Sequence, residues 1–255
     1  MCTVSWRYDP HGYELFFNRD ELKSRALAAP PRRLSHPSGM AFLAPVDPQA
    51  GGSWLLVNAH GLTLGIVNHY PSPSAEPDAA IRRSRGQLLF DLADAASTAE
   101  AQQRLGNTDL SPYAPFHLLA VQPAQATLST WDGHAQRHLG TGSVCQPVTG
   151  SSFATEQVIA ARQTTHARLF RDQGDPAAAP TRCHLDFLRQ HCAADGAASV
   201  LMERPDARTV SFSRIRVTET AATFAYAPRN HAHPVFCPEV VSTLPLRVPV
   251  PAGAR

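Results

Sequence analysis

Leu55-Leu56-Val57 is apolar at every position, between Ser53-Trp54 and the turn-like Asn58-Ala59-His60-Gly61. A strand of this kind leaves no side for water, so both faces must be covered. Two sheets stacked on each other, each backed by helices, supply that cover. The rest of the chain agrees. Residues 1–70 read as strands, 84–106 as helices, 116–139 as strands, 156–192 as helices and 199–227 as strands. Such segregated groups define an α+β protein rather than a doubly wound parallel sheet. The expected architecture is a four-layer αββα sandwich of two mainly antiparallel sheets. A single domain over 1–255 is expected, with 228–255 an irregular, His- and Pro-rich tail.

Local signals place the elements. Thr3, Val4, Trp6 and Tyr8 suit a strand, as do Tyr13, Leu15, Phe16 and Phe17, and Asp9-Pro10-His11-Gly12 is a turn between them. Leu88, Leu89, Leu92 and Ala93 form a helical stripe after Ser84, and Ser97-x-x-Glu100 is a capping box for a second helix that Gly106 ends. Asp132-Gly133 is a hairpin turn. Glu156–Arg171 reads as a helix with Val158, Ile159, Ala161 and Ala167 as core positions, on which Arg162 reads as a solvated charge. A shorter helix covers about 182–192.

Composition excludes several classes. Lys and Arg number 23 against 21 Asp and Glu, a net charge of +2, too little for a protein whose main work is covering phosphates. No nucleic-acid partner is expected. No run approaches ~18 apolar residues, so no transmembrane helix is expected. The first residues carry neither a basic leader nor an apolar stretch. The five cysteines are spread out with no Cys-x-x-Cys, which fits a reducing cytoplasm.

Cys2 carries the chemistry. On residue type alone it is a small buried cysteine opening a strand. Removal of Met1 would give it both a thiol and a free α-amine, with reference pKa values near ~8.5 and ~7.7–8.0. One residue then supplies a nucleophile and its own base. If Asp9 pairs with Gly12, paired positions sum to 21 and Cys2 falls opposite Arg19. A guanidinium there favours the thiolate, and Asp20 is placed to orient the amine. In the second hairpin, pairing Asn58 with Gly61 sets Asn68 opposite Gly51 and Val67 opposite Gly52. Two glycines beside an Asn leave room for a ligand, and the Asn can donate to an oxyanion. Trp54 and Trp131 read first as core. Cys183-His184 and His191-Cys192, with His231, His233 and Cys237, invite a metal. The seven-residue spacing separates His184 from His191 by ~10 Å along a helix, so no metal is expected, nor any other cofactor.

Met1-Cys2-Thr3, Asn18-Arg19-Asp20-Glu21, Gly51-Gly52-Ser53-Trp54 and Val67-Asn68 together resemble the NRDE family, to which the transport-and-Golgi-organisation proteins belong. Ser84-Arg85-Gly86, Ser151-Ser152-Phe153 and the stretch from Asp206 to Ser213 match its bacterial branch. The resemblance runs to about residue 227. It implies the αββα fold of N-terminal-nucleophile hydrolases, with Cys2 as nucleophile, Arg19 and Asp20 beside it, and Asn68 in the oxyanion region. Asn18, Gly51, Gly52, Trp54, Ser151 and Ser152 are then the expected substrate-binding residues. Relatives that hydrolyse carry a further Asn where this chain reads Thr149-Gly150-Ser151-Ser152. The expected function is hydrolysis of a linear, non-peptide amide by Cys2. The alternative keeps the fold as a non-catalytic carrier of haem or an acyl-lipid. The partner is a small-molecule amide or an apolar ligand.

Overall fold

The computed structural model describes residues 2–71, 83–192, 194–229 and 235–247. Thirteen strands among these form two antiparallel sheets. The first has six strands: β1 (Cys2–Asp9), β2 (Gly12–Leu22), β10 (Val148–Gly150), β11 (Ala207–Val217), β12 (Ala221–Pro228) and β13 (Val240–Pro245), in the order β10-β1-β2-β11-β12-β13. The second runs in sequence order through β3 (Ala29–Ser35), β4 (Ala41–Val46), β5 (Leu55–Asn58), β6 (Thr63–Asn68), β7 (Phe116–Gln122), β8 (Gln125–Trp131) and β9 (Gln136–Thr141). The helices are α1 (Arg85–Asp91), α2 (Thr98–Gly106), α3 (Thr155–Leu169) and α4 (Thr181–Leu188).

Strand alternation sorts the core into three layers. Val4, Trp6, Leu15 and Phe17 of the first sheet meet Leu43, Leu55, Val57 and Val67 of the second. Leu56, Leu64 and Ile66 turn to the other face and pack on Leu88 and Leu89 of α1 and Ala101 and Leu105 of α2. Phe16 and Phe212 face outward from the first sheet onto Phe170, Phe187 and Leu188. Leu55, Leu56 and Val57 are each fully buried, as a strand inside a four-layer sandwich must be. Each such side chain contributes about 1.5–3 kcal/mol.

The β1–β2 register is the one the turn residues specify, with Asp9 opposite Gly12 and Cys2 opposite Arg19. The second hairpin differs by one residue. Leu55 pairs with Gly65 and Val57 with Thr63, so paired positions sum to 120 rather than 119. The cause is a three-residue loop: the Asn58 amide donates to the Leu62 carbonyl at 3.0 Å, and Gly61 takes φ +75°. On this side the pairing with β5 ends at Leu55↔Gly65, and Asn68 is paired instead along the other edge of β6, with Phe116 of β7, not with Gly51.

Two further expectations change. On α3 the buried stripe is Val158, Arg162 and His166, while Ala167 is exposed. Arg162 is buried because that face meets polar groups on the back of the first sheet. The segment beyond Pro228 is not wholly irregular, since β13 pairs with β12 from Tyr226↔Val240 to Ala221↔Pro245. Ser84 and Ser97 do cap α1 and α2, accepting from the Gly86 and Glu100 amides at 3.2 and 3.1 Å.

Candidate functional site

Cys2 opens β1 between β2 and β10, opposite Arg19 on one side and Gly150 on the other. Its side chain is buried among the inter-sheet core. A cleft of about 350 Å³ at this end of the sandwich is lined by Cys2, Arg19, Asp20, Gly52, Trp54 and Asn68, with Glu21, Arg25 and Asp47 among its other residues. Two strands of the first sheet and the end of β6 in the second therefore meet at one place.

Gly150 explains how the two sheets come so close. A Cβ on it would lie 2.3 Å from the Asn68 carbonyl oxygen. The residue between Cys2 and Asn68 has to be glycine for β10 to fit there. A similar close approach sits at the cleft mouth. A Cβ on Gly52 would lie 2.4 Å from the Gly86 carbonyl carbon, and one on Gly86 would lie 2.7 Å from the Ser53 nitrogen. The Gly51–Trp54 and Ser84–Gly86 motifs are thus two halves of one contact. The space beside Gly52 that the sequence offered to a ligand is filled by the start of α1.

Arg19 is held on two sides. Its guanidinium carbon lies 4.0 Å from the centroid of the Trp54 ring, a cation–π stack. Its Nη2 donates to Asp47 Oδ2 at 2.5 Å. Arg25 donates to the same oxygen at 2.9 Å, and the Gln49 and Ala50 amides donate to Asp47 Oδ1. Burial raises the Asp47 carboxyl, but the hydrogen bonds from Arg25 and Ala50 and the charges of Arg19 and Arg25 outweigh it. The group is held below its ordinary range.

The Cys2 thiol is pushed up from its ordinary value, first by burial and further by the Asp20 charge. Arg19 and the Asp20 amide act in the opposite direction. With Met1 attached, the Cys2 nitrogen is a peptide nitrogen that takes no proton. The Asp20 side chain is buried on the back of the sheet, where Arg162 donates to Oδ2 at 3.1 Å and Thr209 to Oδ1 at 2.7 Å. Asn68, half-buried at the end of β6, donates to the Tyr70 hydroxyl at 3.1 Å.

The remaining expected residues lie apart from the cleft. Asn18 alternates to the outer face, where its amide donates to the Leu188 and Val200 carbonyls at 2.7 and 3.0 Å. Gly51 makes a turn at φ +63°, its carbonyl accepting from Gln87 at 2.8 Å. Ser151 closes a local turn on Phe153, and Ser152 lines a different groove, with Phe153 and Arg204. Asp47, Thr209 and Gly150 were not singled out from the sequence, and Arg162 read there as a solvated charge but is fully buried. The Val158-Arg162-His166 spacing of four was the available signal for Arg162.

Among the described residues, no three His, Cys, Asp or Glu side chains converge as a metal site. His184 bonds Ser5 and the Pro176 carbonyl, and His191 bonds the Leu201 carbonyl. His231 and His233 lie outside the described residues. No described helix is long and apolar enough to cross a membrane.

The same architecture occurs in solved structures. The C2A variant of conjugated bile acid hydrolase from Clostridium perfringens matches with a TM-score of 0.57 at 11% identity, over 96% of this chain and 92% of that one. Another variant of that hydrolase gives 0.58 at 10% identity, with the same coverage of 96% and 92%. The N-acylethanolamine-hydrolyzing acid amidase ortholog of Caenorhabditis elegans gives 0.55 at 10% identity, over 84% of this chain and 92% of that one. The fold is therefore that of the N-terminal-nucleophile-hydrolase-like sandwiches. The chain belongs to the Transport and Golgi organisation 2 family, which it matches over residues 1–164. No curated protein matches it.

Proposed function

We propose that this protein, once Met1 is removed, is an amidohydrolase that cleaves a linear, non-peptide C–N bond with Cys2. The observation that carries this reading is the meeting of Cys2, Arg19 and Asn68 in one cleft, with Cys2 opposite Arg19. The conjugated bile acid hydrolase and the N-acylethanolamine-hydrolyzing acid amidase, both on this fold, are hydrolases, which agrees with it.

The steps follow from the groups present. The freed α-amine takes the thiol proton, and Sγ attacks the amide carbonyl carbon. Asn68 donates to the oxyanion that forms. Collapse breaks the C–N bond. The α-ammonium gives its proton to the leaving amine, and a thioester remains on Cys2. Water then attacks the thioester, with the α-amine again as base, and releases the acid and the thiol. Arg19 favours the thiolate, and Asp20 orients the amine. Removal of Met1 is also what gives the thiol a base, because a peptide nitrogen cannot accept its proton. The carrier reading ranks second because the guanidiniums and carboxylates around the cleft give an apolar ligand little to pack on.

The test is intact-mass analysis of purified protein treated with a β-lactone, which acylates a thiol by ring opening. The expected result is a chain lacking Met1 that gains one lactone mass, with the gain lost in Cys2→Ser while the variant keeps its thermal transition. Retention of Met1, or no acylation of the processed wild type, would overturn the hydrolase reading.

A further inference from the structure

We propose that Arg162 is a positioning residue for Cys2. From α3 it fixes the Asp20 carboxylate and the main chain behind the nucleophile. The proposal rests on the nucleophile reading above.

Arg162 is fully buried. Its Nη2 donates to Asp20 Oδ2 at 3.1 Å, and its Nε to the Ser199 carbonyl at 3.1 Å. Its Nη1 donates to the Thr3 and Thr149 hydroxyls at 2.8 and 3.1 Å. The two hydroxyls are 2.8 Å apart, and Thr149 Oγ1 donates to the Cys2 carbonyl at 3.2 Å. Each hydroxyl has one proton. With the Thr149 proton on the Cys2 carbonyl, Thr3 must donate to Thr149. A directed chain therefore runs from Arg162 through Thr3 and Thr149 to the carbonyl of Cys2 itself.

The three strand residues gripped are also neighbours of the cleft. Thr3 follows Cys2, Asp20 follows Arg19, and Thr149 precedes Gly150. Strand alternation sets Cys2 and Arg19 toward the second sheet, and Thr3 and Asp20 toward α3. Thr209 holds the other Asp20 oxygen at 2.7 Å. A buried ion pair adds little stability compared with apolar packing of the same volume. A rigid planar fork that bonds three adjacent strands does fix geometry. Lysine, with one nitrogen, cannot reproduce it.

The experiment uses the full chain with Met1 removed and compares wild type, Arg162→Lys, Arg162→Met and Thr149→Val. Acylation by a β-lactone reads the whole site. Alkylation of the N-terminal peptide by iodoacetamide across pH reads the sulfur alone, under Arg19 and Asp20 from β2 and Arg162 from α3. Arg162→Lys is expected to slow acylation by about tenfold or more and to move the alkylation profile, while the protein keeps its thermal transition. Thr149→Val is expected to change both in the same direction, by less. Folded variants with wild-type acylation and an unmoved profile would make Arg162 merely structural and overturn the proposal. If neither Arg162 variant folds, Thr149→Val decides by the same criteria. A wild type that is alkylated but never acylated defeats the hydrolase reading instead. The alkylation profiles then still decide whether Arg162 positions Cys2.

Discussion

Gly150 is the residue on which the geometry of the cleft turns. Cys2 faces it across a strand pair, and the Asn68 carbonyl oxygen lies 2.3 Å from where a Cβ would stand. Neither neighbour is free to give way, because β1 is pinned by β2 and β6 is an interior strand of its sheet. Gly150→Ala is therefore expected to destabilise the protein by about 1–3 kcal/mol, the range for overpacking. It is also expected to widen the gap between Cys2 and Asn68. Urea unfolding gives the first quantity and β-lactone acylation of Cys2 the second. An alanine variant with wild-type stability would mean that β10 slides freely past β6. Arg19 makes a related point about local surroundings. Its spacing from Cys2 follows from the hairpin, but its guanidinium is engaged by Asp47 and Trp54 rather than aimed only at sulfur. Its influence on the thiol is that of a charge held nearby in fixed orientation.

At the scale of elements, Asn58 sets a register. It is fully buried, and its amide donates to the Ala93 and Ala95 carbonyls at 3.0 and 2.7 Å. Its Oδ1 accepts from the His60 and Leu62 amides at 3.0 and 3.1 Å. One side chain closes the β5–β6 loop and ties it to the end of α1. Asn58→Ala would leave four backbone groups without partners. At about 1–3 kcal/mol for a buried orphan, with some groups finding water, the expected cost is about 3 kcal/mol. It would be read as a lower urea midpoint with an unchanged slope. The same loop marks where sequence reading stops. The β1–β2 register was legible because Asp9-Pro10-His11-Gly12 admits one tight turn and the strands alternate cleanly. The β5–β6 register was not. Leu55, Leu56 and Val57 are apolar on both faces, so a one-residue slip moves no polar group into the core. The four-layer fold and the Cys2–Arg19 pair were readable from local pattern. Asp47, Arg162 and Thr209 were not, because each acquires its role from at least one partner distant in the chain: Arg19 is 28 residues from Asp47, and Asp20 is 142 from Arg162 and 189 from Thr209.

Across the whole molecule, buried histidines and paired carboxylates divide the acid side of the stability curve into two windows. Burial drives His184 and His117 down to about 3. His184 is enclosed by Phe16, Phe170, Ser5 and the Pro176 carbonyl, and His117 packs on His69 with no partner for its Nδ1. In the unfolded chain both titrate near ~6.5. Between pH 6.5 and 3 the unfolded state binds protons that the native state refuses, so stability falls as pH falls. Each histidine costs about 1.4 kcal/mol per pH unit, or about 2 kcal/mol at pH 5. Asp47 and Glu14 act later. Their folded values lie below the ordinary carboxylate range because hydrogen bonds and arginine charges overcome burial. Their contribution is present above that range and is lost only as pH drops through it. A decline between pH 6.5 and 5 therefore belongs to the histidines. His117→Phe removes one of them while keeping a ring of similar size at a site whose Nδ1 has no partner. The variant is expected to match wild type within about 1 kcal/mol at pH 7. At pH 5 it is expected to gain about 2 kcal/mol on wild type, measured by urea unfolding at pH 7, 6 and 5. Parallel pH dependences for the two proteins would show that His117 accepts its proton in the folded state, and the first window would then have to be assigned elsewhere.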